Sequence, residues 1–128
     1  MYLPVTSATA AIFAVMMVFL SLAVTKRRVQ VRSTHGDGGD TLLGKRIRAH
    51  GNFSEYAPLA LILLALLEAQ AAPATLVYAL ATVFVTTRVV HVIGMLYYRK
   101  VWVRALAMTA QHLGFVVTGV WLMYGLLK

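Results

Sequence analysis

Arg48, Asn52, Glu55 and Tyr56 stand at positions i, i+4, i+7 and i+8, so on a helix they share one side. Further along, Arg88 and His91 lie three residues apart, and Arg104 follows at the start of the last apolar run. Guanidiniums grip carboxylates through paired hydrogen bonds, and a carboxylate such as Glu55 can take an ammonium. An amide and a phenol add neutral donors and acceptors. The set suits a small zwitterion that carries carboxylates and an amine. An arginine beside a bound thiol would also favour the thiolate, because a fixed cation lowers a thiol pKa.

Several other chemistries have no residues to carry them. There is no cysteine, which removes disulfides, thiolate metal sites and cysteine nucleophiles. Asp37, Asp40, Glu55 and Glu68 are the only acids, so paired-carboxylate chemistry has few candidates. The sequence holds no HExxH, no serine triad and no glycine-rich nucleotide loop. Asp37 and Asp40 lack the ligand spacing of a calcium loop, and no metal site is expected.

The elements that must position these residues are read from composition. Of 128 residues, 60% are apolar and only 12% charged, against about 25% charged in an ordinary soluble domain. The polar surface that water demands is missing, and the chain reads as a membrane protein. Its length allows one domain, 1–128, of at most four spans at roughly 20 residues each.

The net charge of +8 is concentrated. Lys26, Arg27, Arg28, Arg32, Lys45, Arg46 and Arg48 form one basic group, and Arg88, Arg99, Lys100 and Arg104 form a second. Between them, Glu68 to Thr75 has no cation. Two basic connections separated by a neutral one is the positive-inside pattern of a four-span protein. It places residues 26–45 and 98–102 on the cytoplasmic side and both termini on the other. The excess of cations is thus a signal of topology and anionic lipid; no nucleic-acid partner is expected, since no aromatic groove accompanies it.

Spans are expected at about 3–25, 46–71, 74–97 and 103–127. The first lacks a positive n-region and outruns a usual signal sequence, so it is read as a helix inserted directly, into an inner or plasma membrane if the chain is bacterial. Residues 33–40 are turn-formers without apolar period and read as a flexible, solvated loop. In the second span only Tyr56 to Leu67 is free of charge, about 18 Å at 1.5 Å per residue against a hydrocarbon core near 30 Å. To cross, that helix must run back through Glu55, Asn52 and Arg48. Such groups within a membrane helix face a partner or a cavity, which makes them either an interfacial Arg48–Glu55 pair or part of a ligand pocket. Ala107, Ala110, Gly114 and Thr118 form a small-residue ladder suited to close helix packing.

The stretch Arg48-Ala-His-Gly-Asn52-Phe-Ser-Glu55-Tyr56-Ala-Pro58 resembles the signature of the MAPEG family, the membrane-associated proteins in eicosanoid and glutathione metabolism. Arg88-x-x-His91 is similar to the third-helix motif of the microsomal glutathione transferases, and Arg104 falls where the prostaglandin E synthase branch has its catalytic arginine. The resemblance covers all four spans. It implies an all-α integral membrane four-helix bundle assembled as a homotrimer, with glutathione as cosubstrate between neighbouring protomers. Arg48, Asn52, Glu55, Tyr56, Arg88 and His91 would then bind glutathione, with Arg28 as a helper. Arg104 would stabilise its thiolate for attack on a lipophilic small-molecule substrate.

Three positions depart from that pattern. Met95 replaces a tyrosine often found four residues after His91, Ala105 a serine that follows the catalytic arginine, and Met108 another tyrosine. They motivate an alternative, a non-catalytic lipid-binding or assembly subunit of the same fold. A bis-histidine haem bundle built on His91 and His112 is a further alternative. A small four-helix exporter would carry a lone carboxylate in helix one, where this chain has none.

Overall fold

The computed structural model describes residues 2–98 and 101–127. Four α-helices follow one another: α1 (Pro4–Val31), α2 (Thr41–Ala69), α3 (Ala74–Leu96) and α4 (Val101–Leu126). All four are long and apolar enough to cross a membrane, and the protein is an all-α, multi-pass membrane bundle. Arg99 and Lys100 of the second basic group lie outside the described residues. Helices α2 and α3 form the middle of the bundle; α1 packs on both from one side and α4 on both from the other.

The outward faces explain why the chain needs lipid. Val15, Val18, Phe19 and Leu22 on α1, Ile62 and Leu66 on α2, and Leu113, Val116 and Val120 on α4 are all exposed. Contiguous apolar surface of this extent is stable only in an apolar solvent. The inner faces are built for close approach. On α2, Ala49, Phe53, Ala57, Ala60 and Leu64 are buried at steps of three and four, and Phe53 meets Phe13 of α1 edge-on at 5.4 Å. On α4 the small-residue ladder does pack: Ala107, Gly114 and Thr118 are buried.

The helices outrun the apolar stretches. Helix α1 has 28 residues, on the order of 40 Å, and carries Lys26, Arg27 and Arg28 beyond the expected end of the span. Helix α2 begins at Thr41 rather than near 46. The connection therefore shrinks to 32–40, because loss of apolar character at a membrane boundary does not by itself end a helix. What ends α1 is Arg32, in the left-handed conformation with φ of 54°.

This connection is exposed, as a solvated loop should be, and it is tied to α1 at its Asp40 end. Arg27 grips Asp40 with two hydrogen bonds, Nε to Oδ1 at 3.0 Å and Nη2 to Oδ2 at 2.7 Å. Asp40 in turn caps α2 by accepting from the Leu43 amide at 2.7 Å. The Arg27 bond and the Leu43 amide hold the Asp40 carboxyl below its usual range.

At the opposite end Glu68 performs the same service between helices. Its carboxylate accepts from the Val5 and Thr6 amides and from the Thr6 hydroxyl, at 3.0, 2.9 and 2.8 Å. The N-terminus of α1 has spare donors and a positive dipole end, so the acid satisfies both. The two ends of the α1–α2 pair are thus fixed by carboxylates. Helix α2 also runs unbroken through Arg48, Asn52, Glu55 and Pro58, as spanning requires.

Candidate functional site

The buried stripe of α3 changes character along its length. Val77, Leu80, Ala81 and Phe84 form its apolar half, and Thr87, Arg88, His91 and Gly94 continue it on the same face toward the α1–α2 connection. Arg88 is 1% exposed, so its guanidinium must find its partners inside the bundle. Nη1 donates to Asn52 Oδ1 at 2.8 Å, and Nη2 to the Met108 sulfur at 3.4 Å. Its Cζ lies 5.1 Å from the centre of the Tyr56 ring, a cation–π arrangement that gains strength when water is excluded. Tyr56 Oη reaches His112 Nε2 at 3.4 Å.

No protein carboxylate neutralises this cation. Among the described residues the one ion pair is Arg27–Asp40. Arg104, from the first turns of α4, is similarly placed: Nη1 approaches the Met95 sulfur at 3.2 Å, and Nε is buried without a partner. His91, 5% exposed, lies within electrostatic reach of both arginines. Two guanidiniums beside an imidazole disfavour a metal cation there, which weighs against an axial haem ligand.

An open cleft of about 740 Å³ leads to Arg104 from the α1–α2 connection. Lys45 and Arg48 of α2, Met95 of α3 and Asp37 of the connection share its wall with Arg104. The volume is within the range of small-molecule sites, about 300–1,000 Å³. The buried side-chain atoms without a hydrogen-bond partner, among the described residues, are Arg88 Nε, Arg104 Nε and Gln111 Nε2. All three are N–H donors. The unmet demand of this half of the bundle is for acceptors and negative charge.

The structure thus brings Asn52, Tyr56 and Arg88 into direct contact, places His91 beside them, and sets Arg48 and Arg104 on one cleft. It does not bring Glu55 into the group, since that side chain is exposed on α2. The reason is angular. At roughly 100° per residue, the four α2 positions spread over about 100° of the helix, and Asn52 and Tyr56 take the inward edge. Arg28 serves the connection, donating to the Gly36 carbonyl at 2.9 Å. The sequence reading missed Gly94 and Gln111 as parts of this site. Gln111 is fully buried and accepts from the Thr87 hydroxyl; a Cβ on Gly94 would meet Arg104 Cγ at 3.0 Å.

Four apolar spans with an arginine-rich polar cluster in one half of the bundle define a multi-pass membrane protein. The profile of the MAPEG family matches residues 6–124, and the chain belongs to that family. The protein named inner membrane protein YecN, from Escherichia coli K12, is 33% identical over 90 residues, covering 70% of this chain and 69% of its own length. The protein of the same name from Escherichia coli O6:H1 matches to the same extent. That name gives a membrane location and no reaction.

Proposed function

We propose that this protein binds glutathione at the end of the bundle that carries the α1–α2 connection, on the cytoplasmic side, and activates its thiol toward a lipophilic electrophile. The observation that carries this reading is the set of buried, unpartnered N–H donors around a cation that has no carboxylate. A buried unpaired charge is costly, and a ligand with two carboxylates supplies what is missing. The residues fit such a ligand. Arg88, held by Asn52 and Tyr56, would bind one carboxylate, and Arg48 the other from the cleft wall. His91 adds a buried imidazole beside the two arginines. Glu55, outward on α2, is suited to an ammonium at a contact between protomers of a homotrimer, and Arg28 fixes the connection that borders the cleft. Glutathione when bound supplies a thiol sulfur as nucleophile; Arg104 would hold negative charge at that atom.

The test is thiolate absorbance in the ultraviolet, recorded on the detergent-purified protein titrated with glutathione. A saturable signal is expected in wild type. In Arg104→Ala the signal should vanish while calorimetric binding persists. No binding heat in wild type would remove the proposal.

One observation favours a second reading, a non-catalytic lipid-binding or assembly subunit. Arg104 meets a thioether at Met95, and Ala105 is exposed and offers no hydroxyl. Glutathione binding without any thiolate signal in wild type would select this reading over the first.

A further inference from the structure

Both arginines of the site, the buried Arg88 and the half-buried Arg104, touch sulfur: Arg104 Nη1 on Met95 at 3.2 Å, and Arg88 Nη2 on Met108 at 3.4 Å. A thioether is a weak acceptor, so Arg104 is placed without being firmly held, whereas Arg88 is also fixed by Asn52. The two sulfurs differ in access. Met95 lines the open cleft and Met108 does not. We propose that Met95 is an oxidation site for hydroperoxides, and that its sulfoxide clamps Arg104 and withdraws it from anionic ligands in the cleft.

The step balances within the two reactants. The terminal oxygen of the hydroperoxide transfers to Met95 Sδ, the O–O bond breaks, and an S–O bond forms. Sulfur gives up two electrons, and the peroxide is reduced to the alcohol, whose oxygen takes up the proton that the transferred oxygen sheds. Arg104 Nη1–H, already beside the sulfur, is placed to donate to the departing oxygen. The product replaces a weak acceptor with a strongly polar oxygen next to a guanidinium, and a hydrogen bond to a charged group is among the stronger ones in proteins. Arg104 is then occupied internally. Met16 and Met17 pack against the apolar core as Met95 does, but neither lines the cleft, and Met17 accepts from the Ser54 hydroxyl at 3.7 Å. Met123 is exposed near the far end of α4 and away from any arginine of the site.

The oxidation and the clamp stand apart from the proposed function; only their effect on glutathione rests on it. The experiment treats the detergent-purified protein with hydrogen peroxide. It follows each methionine by peptide mass spectrometry and the labelling of Arg104 by phenylglyoxal. Met95 should be oxidised well ahead of Met108, Met16 and Met17. Arg104 labelling should fall as Met95 converts, recover after treatment with methionine sulfoxide reductase, and stay unchanged by peroxide in Met95→Leu. The glutathione thiolate signal should drop about tenfold on oxidation, the equivalent of one hydrogen bond to a charged group, while calorimetric binding persists.

Oxidation of Met95 no faster than that of Met108, or Arg104 labelling that ignores Met95 conversion, overturns the proposal. The wild-type protein before and after oxidation decides the matter even if Met95→Leu does not fold. If untreated wild type takes up no glutathione, the functional reading falls, and the labelling still settles the clamp.

Discussion

Asn52 Oδ1 on α2 and Arg88 Nη1 on α3 meet at 2.8 Å, an uncharged acceptor on a cation that is 1% exposed. The amide satisfies one N–H and leaves the charge in place. A protein that needed only to be stable would put a carboxylate at Asn52. Under the proposed function, the neutral side chain would keep Arg88 available to a ligand carboxylate, at the expense of stability in its absence.

That relationship makes Asn52→Asp informative. The new carboxylate supplies the counter-charge, so melting temperature in detergent should rise. Glutathione affinity should fall by about tenfold or more, since the ligand then competes with an internal ion pair. Asn52→Ala should instead destabilise by about 1.5–3 kcal/mol, the range for losing a hydrogen bond to a charged group. Calorimetry and thermal unfolding of the two variants check both signs. Equal affinity in wild type and Asn52→Asp would sever Arg88 from ligand binding.

Gly94 is the contact by which α3 sets Arg104. A methyl there would stand 3.0 Å from Arg104 Cγ and 3.3 Å from Val103 Cγ1. The arginine stem has to move by a few tenths of an ångström, which shifts the guanidinium relative to the cleft. Gly94→Ala is therefore expected to lower the thiolate signal more than glutathione affinity, with little change in unfolding temperature, because helix interiors favour alanine over glycine. A variant with full thiolate signal would remove Gly94 as a positioning residue.

Much of this was legible in the sequence. The four spans follow from long apolar runs with few charges, and the need for α2 to run through Arg48, Asn52 and Glu55 follows from the shortness of its charge-free stretch. The split of that face was not legible: a spread of about 100° on one helix has an inward and an outward edge, and only the packed position of α3 decides which is which. Gly94 carried no signal because its role depends on a neighbour ten residues away on another helix. Asp40 read as loop filler, since its partner Arg27 sits across the connection and a helix cap is defined by where the helix starts.

Gly114 and Phe84 share one space. A Cβ at Gly114 would lie 2.7 Å from Phe84 Cε1, and that ring is fully buried against Phe115 at 5.4 Å between centroids. Nothing flexible can yield, so Gly114→Ala should destabilise by about 1–3 kcal/mol. Combined with Phe84→Leu, the alanine should cost markedly less than it does alone. Thermal unfolding of the two single variants and the double variant reads this out, and strictly additive losses would show that the α3–α4 contact is looser than the geometry implies.

The Arg27–Asp40 pair predicts a pH dependence of defined sign. Asp40 has its carboxyl held below the ordinary value of 3.8, chiefly by the Arg27 hydrogen bond and then by the Leu43 amide. A carboxyl with a depressed folded-state pKa stabilises the folded protein at pH values above its unfolded pKa. That contribution is lost as pH falls through the folded value, where both states become protonated. The melting temperature of wild type should thus exceed that of Asp40→Asn by a constant margin from pH 7 down to about pH 5, and the margin should shrink below about pH 4. Because the pair is only half-buried, molar salt should also narrow the margin at neutral pH. A margin that is unchanged at pH 3 would mean that Asp40 acts through its shape as a cap alone, and that the ion pair with Arg27 contributes nothing to holding α1 against α2.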